Sequence, residues 1–196
     1  HTHTAPELRE ARDQVHQHAL DYVLNQTLAA VDTARWRFAP VEIEALTLAD
    51  NPLAFNRRFW MTDGTVVTNP GKLNPRIDRP EGPVDPEIHV ALLRQFGRPA
   101  ACLVNLGNHT DTMGGDRVSA DWPGVLERCL QTHVGSQLPV FSLISPAGNI
   151  NHFDVTSGDD QTSPAETKRI GSAYADLIIR QLEAARPVVP ASLAVK

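Results

Sequence analysis

His109 stands in the run Asn105-Leu106-Gly107-Asn108-His109-Thr110-Asp111-Thr112, with Gly114-Gly115-Asp116-Arg117 close behind. An imidazole set among Gly, Asn and Asp, just after the apolar stretch Ala100 to Leu106, is a group delivered to a loop edge. A second apolar stretch, Val140 to Ile144, runs into Ser145-Pro146-Ala147-Gly148-Asn149-Ile150-Asn151-His152-Phe153-Asp154. The chain opens on His1-Thr2-His3-Thr4, and two histidines at i and i+2 of an extended segment face the same way. A catalytic zinc takes imidazole and carboxylate ligands and keeps one position for water. His1, His3, His109, Asp111 and His152 supply such groups. Each has a structural reading beside the chemical one. His1 and His3 can be a frayed end, His152 can cap or bridge loop backbone, and Asp111 can form a turn. His16, His18, His89 and His133 read as structural or surface residues.

The elements that must position these groups follow from periodicity. Thr4-Ala5-Pro6-Glu7 predicts a helix start, with Thr4 as cap, Pro6 in the first turn and Glu7 completing a capping box. Leu8, Ala11, Val15, Ala19, Tyr22 and Val23 recur at helical spacing and predict a helix to about residue 30. Its start adds positive partial charge beside His3, which suits an anion or oxyanion. Val41 to Leu48 alternates with glutamates and predicts a strand. Residues 50–86 are rich in Pro, Gly, Asn and Asp; long irregular stretches of this kind carry function or are disordered. Asp63-Gly64 predicts a hairpin within Met61 to Thr68.

Ile88 to Leu93 predicts a strand, Gly97-Arg98-Pro99 a turn, and Ala100 to Leu106 a central strand. Asp121 caps a helix from Trp122 to His133 closed by Gly135, and Val140 to Ile144 is a further strand. Ser163-Pro164-Ala165-Glu166 opens a helix to about Ala185, ended by Pro187 and Pro190. The strand–helix–strand–helix order of the later half predicts an α/β fold, a mixed sheet flanked by helices with at least one parallel pair. If the strands before His109 and His152 are parallel neighbours, both polar loops lie at one sheet edge.

Composition narrows the function classes. The 196 residues are 41% hydrophobic and 21% charged with a formal net charge of -5, the profile of one ordinary globular domain, 1–196. No Lys/Arg-rich face for nucleic acid is visible. No run reaches the roughly 20 apolar residues of a membrane span, and no signal peptide is present. Cys102 and Cys129 form no CxxC pair and read as buried thiols, which leaves the compartment open.

Taken in order, several blocks resemble bacterial proteins of the neutral/alkaline non-lysosomal ceramidase family. They are Phe55-Asn56-Arg57-Arg58-Phe59, Asp63-Gly64 to Gly71-Lys72, Gly82-Pro83-Val84-Asp85-Pro86-Glu87, Val104 to Thr112, Ser119-Ala120-Asp121-Trp122-Pro123-Gly124 and Gly148 to Asp154. The resemblance implies a zinc (Zn2+) amidase acting on a small-molecule N-acyl or sphingolipid-like substrate, secreted or periplasmic. It implies that His1 and His109 are metal ligands, and that His3 and Arg57 face the reacting carbonyl. Asp111 and His152 would be outer groups that orient the ligands. The glutamate and tyrosine that complete the family's metal site lie further along its chain, and its chain starts before the HTH motif. The 196 residues are therefore expected to be a partial catalytic domain lacking both flanks. The family's GDVSPN hexapeptide matches Gly148 to Phe153, with Asn149 at the position of its aspartate and Asn151 at that of its catalytic serine, which makes Asn151 a catalytic candidate beside His3 and Arg57. This departure points from ceramide toward another N-acyl compound.

Two other readings stand beside this one. With Asn149 and Asn151 in that block, the protein can be a family member that binds without hydrolysing. Gly107-Asn108-His109 and His1-Thr2-His3 are also similar to the GNH[DE] and GHTH motifs of two-metal phosphoesterases. In that family, however, GHTH comes last in the chain.

Overall fold

The structure is a computed structural model that describes residues 3–5, 13–134 and 138–188. Three helices run over Gln14–Arg35 (α1), Asp121–Val134 (α2) and Pro164–Ile179 (α3) among the described residues. The strands are β1 Glu42–Leu48, β2 Phe55–Asn56, β3 Arg58–Met61, β4 Val66–Thr68, β5 Ile77–Pro80, β6 Ile88–Gln95, β7 Arg98–Leu106, β8 Val140–Ile144, β9 Ile150–Asn151 and β10 Arg186–Val188. The main sheet is mixed, in the order β10-β1-β6-β7-β8. Strands β1, β6 and β7 are antiparallel neighbours, while β7 and β8 are parallel and joined through α2. The parallel pair and the α/β class are as the element order predicts.

Alternation along the strands decides which face is core. Ile88, Val90 and Leu92 of β6 and Cys102, Val104 and Leu106 of β7 turn one way and are buried. Against them pack Trp122, Leu126 and Leu130 of α2 and Ile170, Tyr174, Ala175 and Ile178 of α3. Both helices thus cover one face of the sheet. Two smaller sheets carry the loop-rich segment: β4-β3-β5, and the short pair β2-β9. The hairpin expected at Asp63-Gly64 is β3–β4, with Gly64 at φ 78 and the Asp63 carboxylate accepting from Thr65 N at 3.1 Å.

Several expectations shift. Helix α1 starts at Gln14, where the Asp13 side chain caps the His16 N–H at 2.8 Å. Thr4 instead sits buried against Ser119, donating to its carbonyl at 3.1 Å, while Pro6 and Glu7 lie outside the described residues. The apolar face read into this helix finds no core, because none of its residues is buried. The turn before β7 falls on Phe96-Gly97, at φ 52 and 73, so Arg98 and Pro99 already belong to the strand. Ser163 caps Glu166 N at 3.2 Å, yet the Glu166 carboxylate pairs with Arg169 at 2.6 Å. Helix α3 ends at Ile179, a 3-10 turn follows at Leu182–Ala184, and Pro187 sits in β10. Gly135 and Pro190 lie outside the described residues.

Candidate functional site

Because β7 and β8 are parallel neighbours, the loops after them open at the same sheet edge. His109 lies three residues past β7 and is held from several sides. Its N–H donates to the Asn108 side-chain oxygen at 2.8 Å, and its carbonyl accepts from Trp122 Nε1 at 2.8 Å. Asn108 Nδ2 donates to Leu53 O at 3.0 Å and to the Tyr174 hydroxyl at 2.7 Å. Tyr174 in turn donates to Asn51 at 3.0 Å, and Asn51 Nδ2 donates to Gly107 O at 3.2 Å. This buried network anchors the loop from below. Burial, which disfavours charged imidazole, is the main reason the His109 pKa is pushed down to about 4; the charges of Arg57 and His3 add to it. The ring is therefore neutral at pH 7, the form that ligates a metal.

His3 approaches from the other side. Its ring centroid is 5.9 Å from that of His109, with the planes tilted by 54°. The Asp111 carboxylate lies 3.3 Å from His3 Nδ1. The described partner of Asp111 is thus His3. Asp121, at φ 54, gathers the far end of the loop: it accepts from Thr112 N at 3.0 Å, Thr112 Oγ1 at 2.5 Å and Trp122 N at 2.7 Å.

Arg57 reaches the site because β2 pairs with β9 in the register Phe55↔Asn151 and Asn56↔Ile150. Arg57 N donates to Asn149 O at 2.8 Å and its Nε to Gly148 O at 3.0 Å. The guanidinium and His109 then line one cavity of about 540 Å³ with Ser142, Ser145, Ala147 and Gly148. Asn151 faces a second cavity, and both ends of its amide are engaged: Nδ2 donates to Asn69 Oδ1 at 3.0 Å and Oδ1 accepts from Phe153 N at 3.0 Å. His152 is buried, its ring 4.1 Å from that of Phe153, with Nε2 2.7 Å from Gln161 O. Burial lowers its pKa.

The structure thus brings His3, His109, Asp111 and Arg57 together, sets Asn151 behind Arg57, and ties His152 to backbone. His1 lies outside the described residues. Among the described residues no group of three or more His, Cys, Asp and Glu side chains is arranged to hold a metal ion. The donor chemistry still fits part of a zinc site: a buried neutral imidazole, a second imidazole across from it, and a carboxylate fixing the second ring's orientation. Asn51, Trp122 and Tyr174 received no role in the sequence, since they meet the loop only through tertiary contacts.

No protein-family model matches the chain, and no curated protein matches it. Solved structures do. The chain resembles the neutral ceramidase from Pseudomonas aeruginosa with a TM-score of 0.61 at 18% identity, over 87% of this chain and 27% of that one. It also resembles a ceramidase complexed with C2 with a TM-score of 0.54 at 19% identity, over 77% of this chain and 24% of that one. The likeness is one of fold, and the chain spans about a quarter of the length of these structures.

Proposed function

We propose that the chain is the histidine-bearing part of a zinc-dependent hydrolase of an N-acyl amide bond. His109 and Arg57 line one cavity and His3 stands against His109, with rings 5.9 Å apart and Asp111 3.3 Å from His3; this grouping carries the reading. The ceramidase-like fold supports it, and the remaining length of such proteins is where further ligands would come from. In this reading His109 and His1 hold the metal, and His3 faces the substrate carbonyl. The chemistry that zinc would supply there is Lewis acidity toward that carbonyl and toward a water, whose pKa would fall to ~7.

The chain's own groups do the rest. The lowered proton affinity of His109 keeps its nitrogen lone pair available at neutral pH. Asp111 fixes the His3 tautomer through Nδ1 and so orients the ring toward the reacting centre. Arg57, clamped through Nε to Gly148 O, aims the rest of its guanidinium at the cavity. There it offsets charge developing on the carbonyl oxygen. Loss of one such donor costs roughly 2.7–4 kcal/mol of transition-state stabilisation.

Asn151 is the third catalytic candidate of this reading, its amide held by Asn69 Oδ1 and Phe153 N with one N–H still to give. The test is zinc content by mass spectrometry together with hydrolysis of N-acyl substrates, for the protein and its His109→Ala and Arg57→Ala variants. His109→Ala is expected to lose the metal. Arg57→Ala is expected to keep it and to lose roughly 100- to 1000-fold in kcat. Unchanged zinc content in His109→Ala removes that residue from the site, and zinc binding without amide hydrolysis leaves the protein a binder.

A further inference from the structure

Behind Arg57 lies a second cavity of about 260 Å³, lined by Arg57, Asn69, Gly71, Lys72, Asn151, Phe153 and Val155. Its walls are two loops tied firmly together. Asn69 N donates to Arg57 O at 2.7 Å, Leu73 N to Val155 O at 2.7 Å, and Asn151 Nδ2 to Asn69 Oδ1 at 3.0 Å. Asn74 Nδ2 holds Pro70 O at 2.7 Å, and Lys72 Nζ donates to the carbonyls of Gly158 and Asp159. Asn69 and Gly71 of the rim stand at φ 53 and 91, a left-handed conformation that Asn and Gly tolerate.

The polar rim groups Asn69, Asn151 and Lys72 are thus occupied with holding the walls. What faces the interior is mainly apolar surface, with Phe153 and Val155 contributing side chains. The one charged group common to this cavity and the His109 cavity is Arg57.

We propose that this cavity is an acyl-chain pocket that limits the substrate to short and medium acyl groups, with Arg57 at its threshold taking the carbonyl or carboxylate end. The inference rests on the amide-hydrolase reading for the word substrate, but binding itself does not depend on that reading. The volume sets the limit: at the ~30 Å³ a water-sized group takes in a liquid, about 260 Å³ holds on the order of eight or nine heavy atoms. A chain of that length ends inside the pocket, and a longer one must leave its tail in water.

The experiment is calorimetric titration of the chain with straight-chain carboxylates from acetate to dodecanoate, below their micelle concentrations, with no amide substrate present. Affinity is expected to rise about two- to fourfold per methylene and to level off near eight carbons. Val155→Trp, which fills the cavity, is expected to flatten the series. In the wild type, titration with octanoate is expected to shift the Val155 methyl signals in NMR spectra, a readout that decides the matter even if the variant fails to fold. A flat wild-type series, an affinity that keeps rising through dodecanoate, or Val155 methyls unmoved by bound octanoate overturns the proposal. Graded carboxylate binding without amide turnover defeats the hydrolase reading and leaves the pocket standing; turnover with a flat series does the reverse.

Discussion

At the scale of single residues, His109 couples the site to the stability of the fold. The ring protonates near 6.5 in an unfolded chain and near 4 in the folded one, chiefly because it is buried. Between those values the unfolded state binds more protons, so stability falls as the pH falls. Above about 6.5 the ring is neutral in both states and the effect is absent; below about 4 it is charged in both and the loss is complete. At about 1.4 kcal/mol per pH unit, the loss across that window is on the order of 3 kcal/mol for the metal-free protein. Urea unfolding of chelator-treated protein at pH 7 and at pH 4.5 is expected to show most of it. His152 is shifted the same way by burial, so His109→Gln should reduce the pH dependence without abolishing it. An undiminished slope in His109→Gln would show that the ring is already protonated in the folded chain at mildly acidic pH.

At the scale of elements, the site depends on how closely α2 meets α3, since α2 carries Trp122, which holds the His109 carbonyl. Gly171 marks that crossing: a Cβ built there would stand 2.5 Å from Val125 Cβ and 2.6 Å from Trp122 O. One contact is backbone, so no rotamer change relieves it. Gly171→Ala is expected to push the helices apart and to cost about 1–3 kcal/mol in urea or thermal unfolding, with Trp122 fluorescence changing in the folded state. A variant as stable as the parent would mean that the crossing has slack.

Strands β6, β7 and β8 are legible in the sequence because short apolar runs bounded by Gly, Pro and polar clusters have few other uses. The two loops after β7 and β8 are legible as a site because Gly, Asn and His follow buried strands there. The start of α1 is not, because Thr4 and Asp13 are both good caps and local chemistry does not choose between them. The support under His109 is also hidden: Asn108, Tyr174 and Asn51 meet across 66 and 123 residues of sequence, and no local pattern encodes that meeting.

At the scale of the whole molecule, the sheet has two faces and the helices α2 and α3 cover one. The register places Ala45, Ala91, Leu103 and Phe141 in one row across β1, β6, β7 and β8 on the other face. Ile43 and Leu93 form part of a second row, and Leu143 stands beyond on β8. Phe141 is 53% exposed and Leu143 46%, and β8 is one of the two edge strands of the sheet, β10 being the other. Exposed apolar rows beside an open edge are the surface on which sheets pair with other chains. Val15, Tyr22, Leu24, Leu28 and Val31 of α1 are exposed as well. The 196-residue chain is therefore expected to self-associate: in sedimentation velocity its average mass should rise between about 5 and 100 µM, a range in which a patch-free domain stays monomeric. Phe141→Lys puts a charge on the edge strand at an exposed position, where substitutions change stability by only about ±0.5 kcal/mol. It should therefore lower the association while leaving the unfolding curve in place. A chain that stays monomeric throughout would mean that α1 or another segment folds back over this face in solution. Association unaffected by Phe141→Lys would move the contact from β8 to α1.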